Sequence, residues 1–381
     1  MKNPSFQTAV VHPKVPVVRP THSKATPIYQ SSVFTFHSLA DLESYYTGEH
    51  SYLYSRMGNP NTDELGSRVA EWEGADGGIA TSSGMSAILA SLFAVCKTGD
   101  HIVAARDVYG GSYHLLAEEC AQFGISVSFV EGGIASFAAA IRPNTKVLYS
   151  ESVTNPVLRV ENLAQLASLA KERGLVTIID NTFPTPYLVR PLQVGIDISV
   201  HSATKYIGGH SDVTAGVAVA NEPYLSKIRQ KVVNLGANIS PFEAWLAVRG
   251  SKTLALRMKQ QCAVANAVAR ELSTMNEVQT VYYPSNLSPQ GNGAIVTITL
   301  QEGANMPVFF EALDWIHIVP SLAGVETTVS YPTVASHRAL PIAEQKKLGI
   351  TETMVRISCG IEEQKDVVDQ LKYAIVKSFE K

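Results

Sequence analysis

The stretch Ser202-Ala203-Thr204-Lys205-Tyr206-Ile207-Gly208-Gly209-His210 follows the segment 196–201, whose apolar residues predict a buried strand. A lysine therefore stands just beyond a strand end, close to two hydroxyl residues and a pair of glycines. Burial lowers the pKa of an amine, and a neutral amine is a nucleophile. Hydroxyl groups can bind a phosphate, and glycines let the backbone approach a ligand closely. Taken alone, the stretch supports a solvated loop lysine about equally well.

Strands and helices alternate on both sides of this stretch, between about residues 59 and 241. The predicted helices span 65–72, 86–95, 113–123 and 163–173, and the predicted strands span 101–105, 126–130, 146–150, 176–180 and 196–201. Strands that alternate with helices are typical of a mostly parallel sheet covered by helices on both faces. The sequence therefore predicts the α/β fold class.

The two ends of the chain have a different pattern. Residues 1–57 hold several prolines and an aromatic stretch at 45–54, which predicts an arm that lies over another subunit. Beyond residue 250, a long helix and alternating segments indicate a smaller α+β unit. We therefore predict an N-terminal arm at 1–57, a large domain at 58–250 and a C-terminal α+β domain at 251–381.

Composition excludes several classes of protein. With 45% hydrophobic and 17% charged residues, the chain is neither disordered nor fibrous. A net charge of −3 gives no reason to expect nucleic acid or an anionic membrane as a partner. The four cysteines form no C-x-x-C pair and the histidines no H-E-x-x-H motif, so we expect no disulfide and no metal. Residues 1–24 show no signal-peptide pattern, and we expect a cytoplasmic protein.

Two further polar segments lie at places where an α/β sheet binds ligands. Asp180 ends the apolar strand 176–179, and open α/β sheets bind ligands beyond the carboxyl ends of their strands. Taken alone, Asp180 is better explained as a turn cap. Ser82-Ser83-Gly84-Met85-Ser86 precedes an apolar helix, where free N–H groups attract anions. The segment fits a phosphate cradle, a plain serine N-cap, or both.

In combination, the three segments point to one cofactor. A helix start suited to phosphate, a carboxylate at a strand end and a lysine at a strand end occur in that order on one sheet. Pyridoxal 5′-phosphate (PLP) needs a phosphate site, an acid that keeps its pyridine nitrogen protonated, and a lysine. No G-x-G-x-x-G after a strand, no Walker A motif and no G-x-S-x-G are present, which argues against dinucleotide enzymes, P-loop proteins and α/β-hydrolases.

Seven motifs carry a resemblance to a known family: Tyr54-Ser55-Arg56-Met57-Gly58-Asn59-Pro60, Ser83-Gly84-Met85, Asp107-Val108-Tyr109-Gly110-Gly111, Thr154-Asn155-Pro156, Asp180-Asn181-Thr182-Phe183, His201-Ser202-Ala203-Thr204-Lys205 and Val355-Arg356-Ile357-Ser358. From about residue 27 to 363, the chain resembles the Cys/Met-metabolism enzymes of the fold-type I PLP class. This family includes cystathionine γ-synthase, cystathionine γ- and β-lyases, methionine γ-lyase and O-acylhomoserine sulfhydrylase.

The resemblance implies roles around the cofactor. Lys205 would carry PLP as a Schiff base and move protons between substrate and cofactor. Asp180 would pair with the pyridine nitrogen, and Tyr109 would stack on the ring. The residues that would hold the phosphate are Gly84, Met85, Ser202 and Thr204.

The resemblance also implies roles around the substrate. Arg356 would bind the α-carboxylate of an amino acid through its two-pronged guanidinium group. Ser321 and Asn155 would assist near the carboxylate and the cofactor. Tyr54 and Arg56 would enter the site of a neighbouring subunit, Arg56 at the phosphate and Tyr54 towards the leaving group. Activity would then need at least a dimer, and the resemblance implies a homotetramer built as a dimer of dimers.

Departures from the family pattern bear on the substrate. Cystathionine γ-synthases and γ-lyases usually carry acids that receive a distal ammonium, where this chain has Leu53 and Pro320. Methionine γ-lyases usually have a cysteine where Gly111 stands. Ala323 occupies a position where the family prefers glycine, and the segment 284–293 is short.

The missing acids favour γ-elimination from methionine or a homocysteine-like substrate. The alternatives are γ-replacement on an O-acylhomoserine, by a cystathionine γ-synthase or a sulfhydrylase, and cleavage of cystathionine by a γ- or β-lyase. A catalytically silent regulatory subunit is the non-enzyme alternative. The intact set of Lys205, Asp180, Tyr109 and Arg356 argues against it.

Overall fold

A computed structural model describes residues 5–14, 21–48, 51–335, 345 and 347–380. Within these residues, seven strands form the larger sheet: β1 Gly77–Thr81, β2 His101–Ala105, β3 Ser126–Val130, β4 Thr145–Glu151, β5 Val176–Asp180, β6 Ile198–His201 and β7 Gly216–Ala220. Their order is β1-β7-β6-β5-β4-β2-β3. Strands β2 to β6 are mutually parallel, whereas β7 is antiparallel to both β6 and β1. The predicted α/β class with a mixed, mostly parallel sheet is therefore confirmed.

Helices cover both faces of this sheet. Those of the N-terminal part and the large sheet are α1 Phe6–Ala9, α2 Leu39–Thr47, α3 Pro60–Glu73, α4 Gly84–Val95, α5 Gly110–His114, α6 Cys120–Gln122, α7 Ile134–Ala140, α8 Leu163–Arg173, α9 Thr185–Leu188, α10 Tyr224–Leu235 and α11 Pro241–Ser251. A π-helix, Leu115–Glu119, joins α5 to α6, and a 3₁₀-helix spans Pro191–Val194.

Alternating side chains along a strand of the large sheet belong to two separate apolar clusters. Ile79 and Ala218 belong to the cluster beneath α4 and α8, whereas Ala80 and Val217 belong to the cluster beneath α3 and α11. Successive residues of a strand point to opposite faces, so these clusters are the two sides of the sheet. The sheet is therefore buried on both faces, as parallel sheets generally are.

A second sheet follows in the chain. Its strands are β8 Val278–Tyr282, β9 Ile295–Leu300, β10 His317–Ile318, β11 Thr328–Ser330 and β12 Met354–Ser358, in the order β10-β11-β12-β9-β8. Its helices are α12 Leu254–Leu272, α13 Met306–Glu311 and α14 Gln364–Lys377. Apolar residues of α12, α14, β9 and β12 share one buried cluster.

The predicted domain limits stay predictions. The limit at residue 250 falls near the end of α11, just before α12. Part of the predicted arm packs on its own chain, because Val10 is buried and its carbonyl accepts a hydrogen bond from Arg68 at 3.3 Å. Residues 1–4, 15–20 and 49–50 of the arm, and 336–344, 346 and 381 of the C-terminal region, lie outside the described residues.

Two negative findings apply to the described part of the chain. None of its helices is both long enough and apolar enough to span a bilayer. None of its histidine, cysteine and acidic side chains form a group of three or more able to hold a metal ion. The four cysteines, Cys96, Cys120, Cys262 and Cys359, are buried free thiols.

Candidate active site

A cavity of about 410 Å³ opens at the carboxyl ends of β4, β5 and β6 and at the first turn of α4. Most of the predicted site residues line it, namely Gly84, Met85, Tyr109, Asn155, Asp180, Ser202, Thr204, Lys205, Ser321 and Arg356. The topology explains this gathering, since parallel strands end at one edge of the sheet. Ser321 and Arg356 come from the second sheet region, so both parts of the chain build the site.

Lys205 lies in this cavity, where its surroundings lower the pKa of its amine. Its Nζ donates a hydrogen bond to Ser321 Oγ at 2.7 Å. Burial, with a smaller contribution from the charge of Arg356, lowers the pKa of Lys205 to about 8. An amine with such a pKa is partly neutral near physiological pH and can act as a nucleophile. The alternative of a solvated loop lysine is wrong.

Asp180 ends β5, and it is both a turn cap and a residue of the cavity, the two interpretations that its sequence context allowed. Its Oδ1 accepts a hydrogen bond from the backbone N–H of Thr182 at 2.9 Å, so it caps the turn. It also lines the cavity. Burial raises the pKa of Asp180, while the bonds from Thr182 and the charge of His201 oppose that rise.

At the side of the cavity where phosphate is expected to bind, the backbone of the first turn of α4 lies very close to Ser202. Ser83 caps α4, and its Oγ accepts a hydrogen bond from Ser86 N at 3.2 Å. A Cβ atom at Gly84 would lie only 2.7 Å from Ser202 Cβ, so glycine is required there. The free N–H groups of the α4 terminus therefore lie beside Ser202. Thr204 also lines the cavity, with its hydroxyl already bonded to Ala215 O and Ala215 N at 3.2 and 2.9 Å.

Tyr109 is 44% exposed and offers a ring at the cavity wall. Its backbone N–H donates a 2.7 Å hydrogen bond to Glu151 Oε1. A Cβ atom at Gly111 would lie 2.5 Å from Cε1 of the Tyr109 ring. The glycine at position 111 therefore permits this ring position, which a cysteine there would displace.

Arg356 is buried at the substrate side of the cavity. One terminal nitrogen donates to Asn155 Oδ1 at 3.1 Å and the other to Ser321 O at 3.2 Å. Its buried Nε has no hydrogen-bond partner among the residues that the structure describes. Burial lowers the pKa of Arg356 to about 10, which leaves it charged at neutral pH. A buried cation with an unmatched donor suits an incoming carboxylate.

Tyr54 and Arg56 do not line the cavity of their own chain. Arg56 donates to Val233 O at 2.8 Å, and its guanidinium lies 5.5 Å from the centre of the Tyr54 ring. Both side chains are exposed. Their predicted place in a neighbouring subunit's site stays a prediction.

Several cavity residues received no individual role from the sequence, although Thr182 and Phe183 belong to the motif that begins at Asp180. Glu151, Thr182 and Phe183 line the cavity, as do Val153 and Leu322. Glu151 had a detectable signal, because it directly follows the predicted strand 146–150 just as Asp180 ends the next strand. Val153 and Leu322 had no signal in the sequence, because an apolar residue that packs against a ligand looks the same in sequence as one that packs in a core.

The position of Ala323 now has a physical explanation. Its φ angle is 74°, in the left-handed region that L-residues with a side chain rarely adopt. Glycine adopts this region without strain, which explains why the family prefers glycine there. The alanine keeps this conformation while buried next to Ser321.

The residues present fit PLP. The α4 terminus and Ser202 form a cradle that a single Cβ would fill, Asp180 supplies a carboxylate, and Lys205 is a buried amine with a lowered pKa. The sequence profile described as Cys/Met metabolism PLP-dependent enzyme matches residues 7–376. The chain belongs to this family of enzymes, and its cofactor is PLP.

Relatives within the family catalyse different reactions. Cystathionine β-lyase of Lactococcus lactis subsp. cremoris is 36% identical over 98% of this chain and 99% of its own. L-methionine γ-lyase of Porphyromonas gingivalis is 36% identical over 92% of both chains. The structure of cystathionine γ-synthase from Xanthomonas oryzae pv. oryzae, in complex with aminoacrylate and cysteine, is similar with a TM-score of 0.93, 32% identity and 99% of both chains covered. The chain is thus an enzyme of the trans-sulfuration lyases and synthases, and a silent subunit is not supported.

Proposed function

We propose that this enzyme cleaves a sulfur amino acid such as methionine or homocysteine by γ-elimination. The observation that carries the proposal is the wall of the cavity beside Ser321. Pro320 and Leu322 flank Ser321 in the chain, and Val153 and Phe183 line the same cavity. The acidic residues of the lining in the described chain are Asp180 and Glu151. Both acids lie at the strand ends of the large sheet, so the wall offers no carboxylate for a distal ammonium.

The chain's own residues divide the work of binding and proton transfer. Arg356 binds the α-carboxylate, with Asn155 and the Ser321 carbonyl holding its guanidinium in place. Lys205, partly neutral because of its lowered pKa, takes up and returns protons at the substrate carbons. Ser321 Oγ orients the amine. PLP supplies an electron sink that stabilises negative charge on the substrate carbons.

Asp180 and Tyr109 hold the cofactor in this proposal. The Asp180 carboxylate would pair with the pyridine nitrogen, and the Tyr109 ring would pack on the pyridine ring. Gly84, Met85, Ser202 and Thr204 would hold the phosphate. All of them line the one cavity, which supports this division.

γ-Replacement on an O-acylhomoserine is the second candidate. The acetyl ester also has an uncharged distal group, and the succinyl ester carries a distal carboxylate rather than an ammonium, so neither needs an acidic partner in the apolar wall. The similarity to a cystathionine γ-synthase structure favours this candidate. Cystathionine itself, the substrate in the name of the Lactococcus relative, carries a distal ammonium and fits the wall less well.

A substrate panel tests the proposal. The panel holds methionine, homocysteine, cystathionine, cysteine, and O-acetyl- and O-succinylhomoserine with sulfide or cysteine, with products identified by mass. We expect methionine to yield methanethiol and homocysteine to yield hydrogen sulfide, each with ammonia and a 2-oxoacid after one water molecule is consumed. A distal ammonium left without a partner costs about 1–3 kcal/mol, so kcat/KM for cystathionine should be about 5- to 150-fold lower.

Variants at position 320 sharpen the test. Pro320→Glu should shift preference towards cystathionine, whereas Pro320→Gln, which also frees the backbone but adds no charge, should not. A wild-type preference for cystathionine over every substrate with an uncharged tail contradicts the proposal. Glu326, in an adjoining cavity that shares Ser321 with the site, would then be the carboxylate to examine. Glu49, the other acid considered, lies outside the described residues.

A further inference from the structure

Glu151 is a buried acid in the site to which no motif assigns a role. It is the last residue of β4, only 6% exposed, and it lines the cavity. Its Oε1 accepts the backbone N–H of Tyr109 at 2.7 Å. Tyr109 directly precedes α5, so this bond fixes the point from which the Tyr109 ring enters the site.

Glu151 and Asp180 form a carboxyl pair. They are register partners on the parallel strands β4 and β5, whose backbones lie about 4.8 Å apart. Paired residues of neighbouring parallel strands point to the same face, and both line the cavity. Two neighbouring carboxyl groups in a buried site disfavour each other's charge, which favours one shared proton over two negative charges.

The surroundings decide which member holds the proton. Asp180 receives the Thr182 N–H and side-chain hydroxyl and faces the favourable charge of His201. Glu151 receives the Tyr109 N–H and faces the charges of Asp180 and Asp107. Arg159 opposes this effect, although its guanidinium is bonded to Asp107 at 2.8 Å and to Glu161 at 3.0 Å. Burial and the charge of Asp180 raise the pKa of Glu151 well above its usual range.

We propose that Glu151 is the proton-holding member of this pair and that it positions Tyr109 as a neutral acid. Its neutrality leaves Asp180 as the single negative charge that faces the pyridine nitrogen. Asp180 therefore pairs with that nitrogen without a second, competing anion beside it. This inference rests on the proposed function, because the proposed reaction uses a protonated pyridine nitrogen.

Infrared spectroscopy of the PLP-loaded, full-length protein in D₂O measures directly whether the Glu151 carboxyl group is protonated. The wild-type spectrum minus that of Glu151→Gln should show the carbonyl band of a protonated carboxylic acid at pH 7. The band should titrate away only at alkaline pH. In Asp180→Asn, where the neighbouring charge is absent, the Glu151 band should titrate at a lower pH than in wild type.

Kinetics separate a positioning role from a purely structural one. Glu151→Ala removes the acceptor for Tyr109 N–H and should lower kcat by about tenfold or more, with a smaller effect on KM. Glu151→Gln keeps the acceptor and the neutral charge, so it should restore most of the loss. Glu151→Leu, which fills the volume without an acceptor, should behave like alanine.

Two results would overturn the proposal. One is a difference spectrum with an ionised carboxylate band and no carboxylic acid band at pH 7. The other is a Glu151→Gln variant as impaired as Glu151→Ala although it folds and binds PLP. The infrared measurement needs no turnover. A protein that turns over no sulfur amino acid would therefore refute the proposed function, whereas the infrared spectra would still decide whether Glu151 holds the proton.

Discussion

At the scale of single residues, burial rather than ion pairing sets the chemistry of the site. Lys205 has a hydroxyl neighbour and a nearby cation, and both its desolvation and the Arg356 charge favour the neutral amine. Arg356 is likewise a buried cation held by an amide oxygen and a carbonyl. Among the described residues, neither the Lys205 amine nor the Arg356 guanidinium pairs with a carboxylate, so their positive charge disfavours folding and favours the binding of an anionic substrate.

This arrangement predicts how stability depends on pH in the cofactor-free protein. The pKa of Lys205 is about 8 when folded and near 10.5 when unfolded, so the unfolded state binds more protons between these values. Stability of the wild type should therefore rise with pH across that window. Lys205→Met removes the burial penalty and should stabilise the protein by about 1–3 kcal/mol at pH 7. The gain should shrink as pH approaches 10.5.

Urea unfolding of both cofactor-free proteins at pH 7 and pH 10 measures this difference. Lys259→Met is the matched control, because Lys259 is exposed on α12. It should change stability little at either pH. A Lys205→Met gain that stays constant from pH 7 to pH 10 would show that apolar packing of the methionine, not removal of the amine charge, is responsible.

At the scale of elements, the sequence predicted the helices and strands that have a clear hydrophobic period and clear terminal residues. Helix α8 was predicted with its observed bounds, because Gly174 supplies the left-handed C-cap. The central strands were also predicted within one or two residues. The edge strand β1 and strand β7 were not predicted, since Gly-Gly-Ile-Ala-Thr and Gly-Val-Ala-Val-Ala show no alternation of apolar and polar residues. Their antiparallel pairing depends on contacts distant in sequence.

The candidate site divides in the same way. The lysine, Asp180 and the α4 terminus were predictable because each lies at the end of a patterned element. Residues from the second sheet, such as Ser321, were recognised through resemblance alone, since no local pattern connects them with Lys205. The π-helix Leu115–Glu119 was predicted as ordinary helix, because a single inserted turn does not alter the apolar spacing enough to be read.

One side chain of α12 connects an element to the site loop. Arg257 is buried and donates to Tyr206 O at 2.7 Å, to Gly250 O at 3.0 Å and to Ile207 O at 3.4 Å. The carbonyls of residues 206 and 207 directly follow Lys205. Arg257→Met should leave these carbonyls without a donor and destabilise the protein by about 2–4 kcal/mol. It should also lower turnover, because the loop that holds Lys205 loses its anchor.

Denaturant unfolding and steady-state kinetics together check this expectation. Arg270→Met on the same helix is the matched control, because Arg270 is exposed and its ion pair in the described part of the chain is with its neighbour Glu271. It should cost less than about 1 kcal/mol and leave turnover unchanged. Equal losses in the two variants would assign the effect to helix propensity rather than to the anchored loop.

At the scale of the whole molecule, the described chain leaves its predicted site incomplete. Tyr54 and Arg56 lie outside their own cavity with exposed side chains. We propose that they complete the cavity of a neighbouring copy, which makes the dimer the smallest active unit and a dimer of dimers the expected assembly. The cytoplasmic location likewise stays a prediction.

Hybrid oligomers test this assembly. Arg56→Ala and Lys205→Ala proteins should each be nearly inactive alone. In a mixed dimer, the chain with intact Lys205 receives intact Arg56 from its neighbour, so one of the two sites is whole. Random reassociation makes half of the dimers mixed, and activity should recover to roughly a quarter of the wild-type value. Subunits are exchanged in mild denaturant, and turnover is measured after its removal.

A second mixture supplies the control for the recovery. Asp180 and Lys205 line the same cavity of one chain, so a mixture of Asp180→Ala and Lys205→Ala contains no complete site in any pairing. It should stay inactive after the same exchange treatment. Recovery in the first mixture alone places Arg56 across the subunit boundary. Failure of both mixtures, with mixed dimers demonstrated by mass, or full activity of a diluted monomer, would place the complete site within a single chain.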